Sequence, residues 1–183
     1  MTRVLHASFV VALGALAACG RPDAQPPQAS RPDSAAAAPV LSPAEAAAAL
    51  EAGTEARRGS LVRKPGSTVA GDAVSQWTAF YAGDTLLLID DSVSLGDYGG
   101  SRVRFYFDEG RLRLYREEGR RTNTGSGERG ARSISTRIVF DAAGAVAAST
   151  YQVNGRDSTL PDTKVDEART RSADLLRRLV LSR

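Results

Sequence analysis

The feature that most restricts the fold of this chain is a series of short apolar runs between residues 75 and 153. The runs are rich in Val, Ile, Leu, Tyr and Phe, and turn-forming residues separate them at regular intervals. This spacing is typical of an antiparallel meander, in which short hairpins join neighbouring strands. We therefore expect about five to six strands, placed near residues 75–81, 85–94, 101–108, 111–118, 132–141 and 145–153.

The segment 101–118 is the clearest hairpin of this meander. A two-residue turn at Glu109-Gly110 would place Asp108 opposite Arg111. One face would then carry the apolar pairs Phe107 with Leu112 and Phe105 with Leu114. The other face would carry the pairs Tyr106 with Arg113, Arg104 with Tyr115, and Arg102 with Glu117. Because side chains alternate between faces, the consistency of both sets supports this register.

The second face of the hairpin is the binding surface that the sequence predicts. Guanidinium groups bind carboxylate or phosphate through paired hydrogen bonds and stack on aromatic rings. The opposing interpretation is that Arg only keeps the chain soluble, because Lys64 and Lys164 are the only Lys among 24 basic residues. Arg111 is a further arginine of the same hairpin. The candidate binding residues are Arg102, Arg104, Tyr106, Arg113 and Tyr115.

Helices are predicted on both sides of the meander. The segment Ser42-Pro43-Ala44-Glu45 has a capping-box residue at each end and Pro at the first helical position, which predicts a helix over residues 43–58. A closing helix that packs across one face of the sheet is predicted by the helical spacing of Val165, Ala168, Ser172, Leu175, Leu176 and Leu179. The fold class is therefore α+β, with both helices packed on the antiparallel sheet.

The first eighteen residues have the pattern of an export signal. Arg3 precedes an uncharged run of small and apolar residues from 7 to 18, which is typical of a signal peptide and is short for a membrane span. The run ends in Leu16-Ala17-Ala18-Cys19, which resembles the lipobox of bacterial lipoprotein precursors. The resemblance implies cleavage between Ala18 and Cys19 and a diacylglycerol on the Cys19 thiol; in this class the new amino group is often acylated as well.

The residues after the lipobox predict which membrane carries the protein and how the domain is connected to its lipid anchor. Gly20 resembles the outer-membrane-sorted pattern of Gram-negative members of this class, which implies the periplasmic face of the outer membrane. The segment 19–42 is rich in Pro and Ala and has no aromatic residue, so we expect a disordered tether. The predicted organisation is a signal peptide at 1–18, this tether, and one α+β domain at 43–183.

Rare residue types exclude several kinds of chemistry. His6, Cys19 and Met1 are the only His, Cys and Met of the chain. If the signal is removed and the cysteine is acylated, no imidazole and no free thiol remain. This excludes Ser-His-Asp and Cys-His nucleophile pairs, His or Cys zinc sites, haem ligation and an internal disulfide. We therefore expect no cofactor.

Charge argues against a nucleic-acid partner. Without Arg3 the chain has 23 basic and 21 acidic residues, a net charge of +2, so its basic pI does not reflect a polybasic patch. We expect instead a membrane contact through the lipid anchor and a protein partner in the cell envelope.

Three further motifs are less specific. The segment Gly125–Gly130 matches GxGxxG, but no helix is predicted after it, so a flexible loop is favoured over a dinucleotide site. Asp90, Asp91 and Asp97 form an acidic patch that has the oxygen ligands of a calcium site but matches no calcium loop. The same carboxylates, or Glu117 with Glu118, are candidates for an acid and base pair in glycoside hydrolysis, which is defined by a separation in space that the sequence does not give.

Together these features predict a membrane-anchored envelope lipoprotein whose domain has a non-catalytic binding or scaffolding role. Two alternatives stay open. One is a carrier of a small anionic or lipid-like ligand, held between the sheet and a helix. The other is a glycan hydrolase that depends on carboxylates alone.

Overall fold

The computed structural model describes residues 41–122 and 130–181. The predicted signal peptide, the lipobox and almost all of the tether lie outside these residues, as does most of the GxGxxG segment. The described helices are α1 (Pro43–Arg57) and α2 (Asp162–Leu181), with single 3-10 turns at Arg58–Ser60 and Gly96–Tyr98. The strands are β1 (Val62–Ala70), β2 (Ala73–Ala82), β3 (Thr85–Ser94), β4 (Gly99–Asp108), β5 (Arg111–Thr122), β6 (Ala131–Phe140), β7 (Val146–Val153) and β8 (Arg156–Asp157).

Within the described residues, the strands form one antiparallel sheet in the order β1 to β8, so each strand pairs with its neighbours in sequence. This confirms the α+β class and the meander. The number of strands is eight, however, and the prediction of five to six is wrong. Strand β8 has only two residues, which is too short to leave a pattern.

Strand β1 was not predicted because its sequence, VRKPGSTVA, contains Pro65 and Gly66 and shows no apolar alternation. Most of its side chains are exposed, so no buried face requires apolar residues at alternate positions. The strand forms by pairing with β2 over nine residues, from Val62 opposite Tyr81 to Ala70 opposite Ala73. Tertiary pairing here overrides weak local propensity.

The sheet buries apolar side chains on both of its faces, because successive residues of a strand point to opposite sides. One face, which we call the α2 face, packs against Ala168, Leu175 and Leu179 of α2. Its strands contribute Trp77, Ala79, Tyr81, Ile89, Val103, Phe105, Phe107, Tyr115, Ile138 and Phe140. The other face, the α1 face, packs against Ala47 of α1 and carries Phe80, Leu87, Leu88, Tyr106, Leu114 and Val139.

The predicted start of α1 is confirmed. The Ser42 hydroxyl accepts a hydrogen bond from the Glu45 amide at 3.3 Å, and the Glu45 carboxylate accepts one from the Ser42 amide at 2.9 Å, which is a complete capping box. Among the described residues of α1, only Ala47 and Thr54 are buried. The helix therefore has little apolar contact with the sheet.

The closing helix α2 follows its predicted pattern. Ala168, Ser172, Leu175 and Leu179 are the buried residues of this helix. Its apolar stripe lies on the sheet, as the helical spacing indicates. None of the described helices is long and apolar enough to cross a membrane.

Candidate ligand-binding site

The β4–β5 hairpin carries the predicted binding residues, and its register changes just beyond the turn. Asp108 faces Arg111 and Phe107 faces Leu112, as the sequence predicts. The next pair is Tyr106 with Leu114, so Arg113 is an extra residue on β5 and forms a β-bulge. The predicted pairs farther from the turn are therefore wrong, and the observed ones are Phe105 with Tyr115, Arg104 with Arg116, and Arg102 with Glu118.

This shift separates the five candidate binding residues. Arg102, Arg104 and Tyr106 lie on the α1 face, while Tyr115 is buried in the core of the α2 face. Arg113 is half-buried at the bulge, between the two regular stretches of pairing. Hence the structure brings three of the five side chains together and places the other two elsewhere.

Asp90 of β3 holds the first of these arginines on the α1 face. Arg102 donates from Nε to Oδ1 at 2.8 Å and from Nη2 to Oδ2 at 2.6 Å, a bidentate pair. Arg58, just after α1, also donates to this carboxylate. Burial favours the neutral acid, but the hydrogen bonds from Arg102 and Arg58 outweigh it and lower the pKa of Asp90. The guanidinium of Arg102 is therefore already bound to an internal anion.

Glu55 of α1 binds the next residues of the predicted surface. Its Oε1 accepts a hydrogen bond from the Tyr106 hydroxyl at 2.8 Å and lies 3.9 Å from Nη1 of Arg104. Its Oε2 accepts from Arg58 at 3.2 Å. Although burial opposes the charged form, these donors and the nearby guanidinium groups lower the pKa of Glu55. Burial and the same carboxylate raise the pKa of Tyr106.

Glu51, one turn before Glu55, neutralises a row of arginines. Arg104, Arg116 and Arg137 lie directly opposite one another on β4, β5 and β6, an arrangement in which like charges repel. Glu51 accepts a hydrogen bond from Arg116 at 2.6 Å and lies 3.8 Å from Arg137. Its carboxylate therefore offsets the repulsion and links α1 to the sheet.

The space that remains within this cluster is small. A cavity of about 10 Å³ lies between Arg102, Arg104, Arg116 and Glu118. This is room for about one water molecule. The surface that the sequence predicts as an anion site is thus filled by carboxylates of the chain itself.

A second polar cluster lies on the α2 face around Glu117, whose exposed fraction is only 1%. Lys164 of α2 donates to its carboxylate at 2.8 Å, the Tyr115 hydroxyl donates at 3.0 Å, and Arg121 donates at 3.4 Å. Burial opposes ionisation, but the Lys164 ammonium and the other donors lower the pKa of Glu117. Burial and the Glu117 charge together raise the pKa of Tyr115.

Asp91 is the other carboxylate buried on the α2 face. It is fully inaccessible to solvent and accepts hydrogen bonds from Ser75 at 2.7 Å and from Arg171 of α2 at 2.5 Å. The charges that hold α2 on the sheet are therefore Asp91 with Arg171 and Glu117 with Lys164.

The acidic groups proposed from the sequence do not come together. Asp90 and Asp91 are neighbours on one strand, so they point to opposite faces, and Glu117 and Glu118 are divided in the same way. Asp97 is exposed in the turn at Gly96–Tyr98. Within the described part of the chain, no group of three or more metal-type ligands occurs.

The structure shows a different basic site, in an open cleft of about 370 Å³ between α2 and the ends of β5 and β6. Arg111 donates to the carbonyl oxygen of Ala142 at 2.8 Å. Arg169 of α2 donates to the carbonyl oxygen of Gly144 at 3.0 Å, and its guanidinium carbon lies 5.7 Å from the centre of the Phe140 ring. The remaining lining residues are Leu112, Ala143 and Ser172.

These two guanidinium groups differ from those on the α1 face in their partners. Among the described residues, neither Arg111 nor Arg169 forms an ion pair with a carboxylate. A guanidinium has five N–H donors, so each retains donors that can bind a carboxylate or phosphate. Apolar walls beside two unneutralised cations form a site for an anionic group attached to an apolar body.

The sequence singles out Arg111 as one of the hairpin arginines, but it gives no sign that Arg169 lies beside it. Arg169 follows the buried Ala168 on α2 and reads as an ordinary exposed helix residue. The β6–β7 turn joins the two, because its carbonyl groups at Ala142 and Gly144 orient both side chains.

No family model matches this chain, and comparisons with curated proteins and with solved structures gave no match either.

Proposed function

We propose that the protein is a bacterial envelope lipoprotein, anchored through acylated Cys19, whose α+β domain binds a small anionic ligand without catalysing a reaction. The signal-like run and the lipobox that ends at Cys19 support the anchor. Two acyl chains give stable membrane attachment, since each buried methylene adds about 0.8 kcal/mol. In a Gram-negative envelope, Gly20 favours the periplasmic face of the outer membrane.

The observation that carries the binding role is the contrast between two sets of arginines. Arg102 and Arg116 are bound to internal carboxylates, whereas Arg111 and Arg169 face an open cleft where, among the described residues, they donate hydrogen bonds only to backbone carbonyl groups. An anion that enters this cleft would neutralise two cations without displacing a carboxylate. We therefore assign the binding role to the Arg111–Arg169 cleft.

The hydrolase alternative is less well supported by the chemistry of the carboxyl groups. Glycoside hydrolysis needs a carboxylic acid with a raised pKa that stays protonated near neutral pH. In the described chain, every carboxyl group with a displaced pKa has it lowered: Glu45, Glu55, Asp90 and Glu117. These groups favour the charged form over proton donation.

A protein partner is a second candidate, favoured by the sheet edge at β1. Among the described residues β1 pairs only with β2, and Val62 and Val69 on it are 56% and 70% exposed. Lys64 and Pro65 on the same strand oppose indiscriminate pairing. Cross-linking in the native envelope tests this candidate, with Cys19→Ala as the unanchored control. One abundant partner that is lost in the control would support it. The absence of such a partner would contradict it.

The experiment for the main proposal is native mass spectrometry of the protein isolated from its own cells. We expect an added mass whose fragments contain a carboxylate, phosphate or sulfate. The double variant Arg111→Gln/Arg169→Gln should lose this mass, and Arg120→Gln, which removes an exposed arginine of β5, should retain it. No added mass, or one that the double variant retains, would contradict the proposal.

A further inference from the structure

A second cleft of about 370 Å³ lies beside the Arg111–Arg169 cleft. Its walls are mainly apolar and come from β2, β3 and the last turns of α2: Tyr81, Leu86, Leu176, Leu179 and Val180. Asp84 and Glu109 lie at its rim, in the hairpin turns. It is therefore an apolar compartment with an acidic rim, whereas the first cleft has two basic residues.

The two clefts adjoin along both elements that form them. Gly110 lines the apolar cleft and the next residue, Arg111, lines the basic one. On α2, Ser172 lines the basic cleft and Leu176, one helical turn later, lines the apolar one. A ligand that contacts both clefts would therefore lie along α2.

The charges determine how such a ligand must lie. Carboxylates at the rim of the apolar cleft repel an anionic group, and Arg111 and Arg169 attract it. The apolar end would then contact Leu176 and Val180, the latter being 68% exposed in the free protein. Contact with an alkyl chain would remove this apolar surface from water.

We propose that the ligand is a single-chain amphiphile, with a carboxylate or phosphate head held by Arg111 and Arg169 and an alkyl chain in the cleft formed by Tyr81, Leu86, Leu176, Leu179 and Val180. The inference rests on the proposed function, because it assumes that the basic cleft binds an anion. It adds the chemical class of the ligand and its orientation.

The test is a binding series with straight-chain carboxylates from butanoate to dodecanoate, kept below their micelle concentrations. The protein is the full chain with Cys19→Ala, so that no acyl group of its own competes. Isothermal titration calorimetry should show affinity rising about threefold to fourfold for each added methylene, until the apolar cleft is filled. Decyl phosphate compared with decanoate distinguishes the two head groups, and binding of either one supports the proposal.

Two variants assign the chain-length effect to the apolar cleft. Val180→Ser should reduce the gain in affinity for each added methylene, while the affinity for butanoate stays within a factor of two. Leu181→Ser is the matched control, because Leu181 is 87% exposed and does not line the cleft, and it should leave the series unchanged. Both positions are exposed, so neither substitution threatens folding.

Each outcome decides between the two proposals. If all chain lengths bind equally and Arg111→Gln/Arg169→Gln abolishes binding, the amphiphile inference is overturned and the anion-binding function stands. If 1-decanol binds as tightly as decanoate, the apolar cleft binds chains but the anion-binding function fails. If no member of the series binds, the amphiphile inference is overturned, and the native mass spectrum of the isolated protein decides the anion-binding function separately.

Discussion

The hydroxyl of Tyr106 in β4 donates a hydrogen bond to Glu55 of α1 over 2.8 Å. The Tyr106 ring is fully buried in the α1 face, so this contact connects the core of the sheet to a helix that buries little of its own. Together with the ion pairs of Glu51 and Glu55, it holds α1 in place. The arginines beside it are paired with carboxylates of the chain itself.

We expect Tyr106→Phe to loosen α1 without disturbing the sheet. The substitution keeps the buried ring and removes one hydrogen bond to a partly exposed carboxylate, which should cost about 1 kcal/mol. Amide hydrogen exchange should become faster in α1 and stay unchanged in β4 and β5. Tyr98→Phe, at a position that is 52% exposed, is the control and should have no effect. Equal exchange of α1 in wild type and Tyr106→Phe would refute this role.

Glu117 and Glu118 provide a test of the two faces with the same chemical change. Glu117→Gln removes a buried charge and leaves Lys164 facing an uncharged amide, so we expect a loss of about 3 kcal/mol or more in the free energy of unfolding. Glu118→Gln changes a side chain that is 66% exposed, and its effect should be below about 1 kcal/mol. Denaturant unfolding measures both, and similar losses for the two variants would contradict the assignment of faces.

The same carboxylates set the dependence of stability on pH. Glu55, Asp90 and Glu117 have pKa values below their ordinary values of 4.5, 3.8 and 4.5. A lowered pKa in the folded state adds stability that is complete above the ordinary value and is lost as pH falls through the folded one. The unfolding free energy should therefore decline below about pH 4.5, and less steeply in Glu117→Gln. Titration by denaturant unfolding from pH 7 to pH 2.5 tests this, and an identical slope for the variant would contradict it.

Substitution by alanine should change the stability of the protein in opposite directions at two glycines. A Cβ on Gly66 would lie 2.0 Å from the buried indole of Trp77, so Gly66→Ala should cost about 2 kcal/mol or more. A Cβ on Gly53, within α1, would meet nothing within 4 Å, and Gly53→Ala should add up to about 1 kcal/mol through helix propensity. Thermal unfolding of the two variants measures the difference. A stable Gly66→Ala would mean that Trp77 does not pack against β1.

The parts of the fold that the sequence predicts correctly are those where burial imposes a period. Six strands and both helices follow from apolar alternation, from helical spacing and from the capping box at Ser42. Strand β1 has no buried stripe, and only its pairing with β2 makes it a strand. The bulge at Arg113 also leaves no signal in the sequence. One extra residue on β5 shifts every pair farther from the turn by one position, but it does not change the pattern of residue types.

The candidate site is less predictable from the sequence for a related reason. Charge alone does not tell whether an arginine is neutralised, and Arg102 and Arg104 are paired by carboxylates that come from other elements. Arg169 is separated from Arg111 by the rest of β5, by β6, β7 and β8, and by part of α2, so only tertiary structure places them in one cleft. Of the residues predicted as a site, Arg104 and Tyr106 contact Glu55 of α1. The unneutralised pair lies on α2 and the β4–β5 hairpin.

The most direct test of the central claim is an NMR titration of arginine side-chain Nε–Hε signals with decanoate, using the full chain with Cys19→Ala. We expect saturable shifts of the Arg111 and Arg169 signals and none at Arg102, whose Nε is bound to Asp90. Shifts at Arg102 and Arg104 with none at Arg111 and Arg169 would contradict the account. That result would restore the α1 face as the anion site.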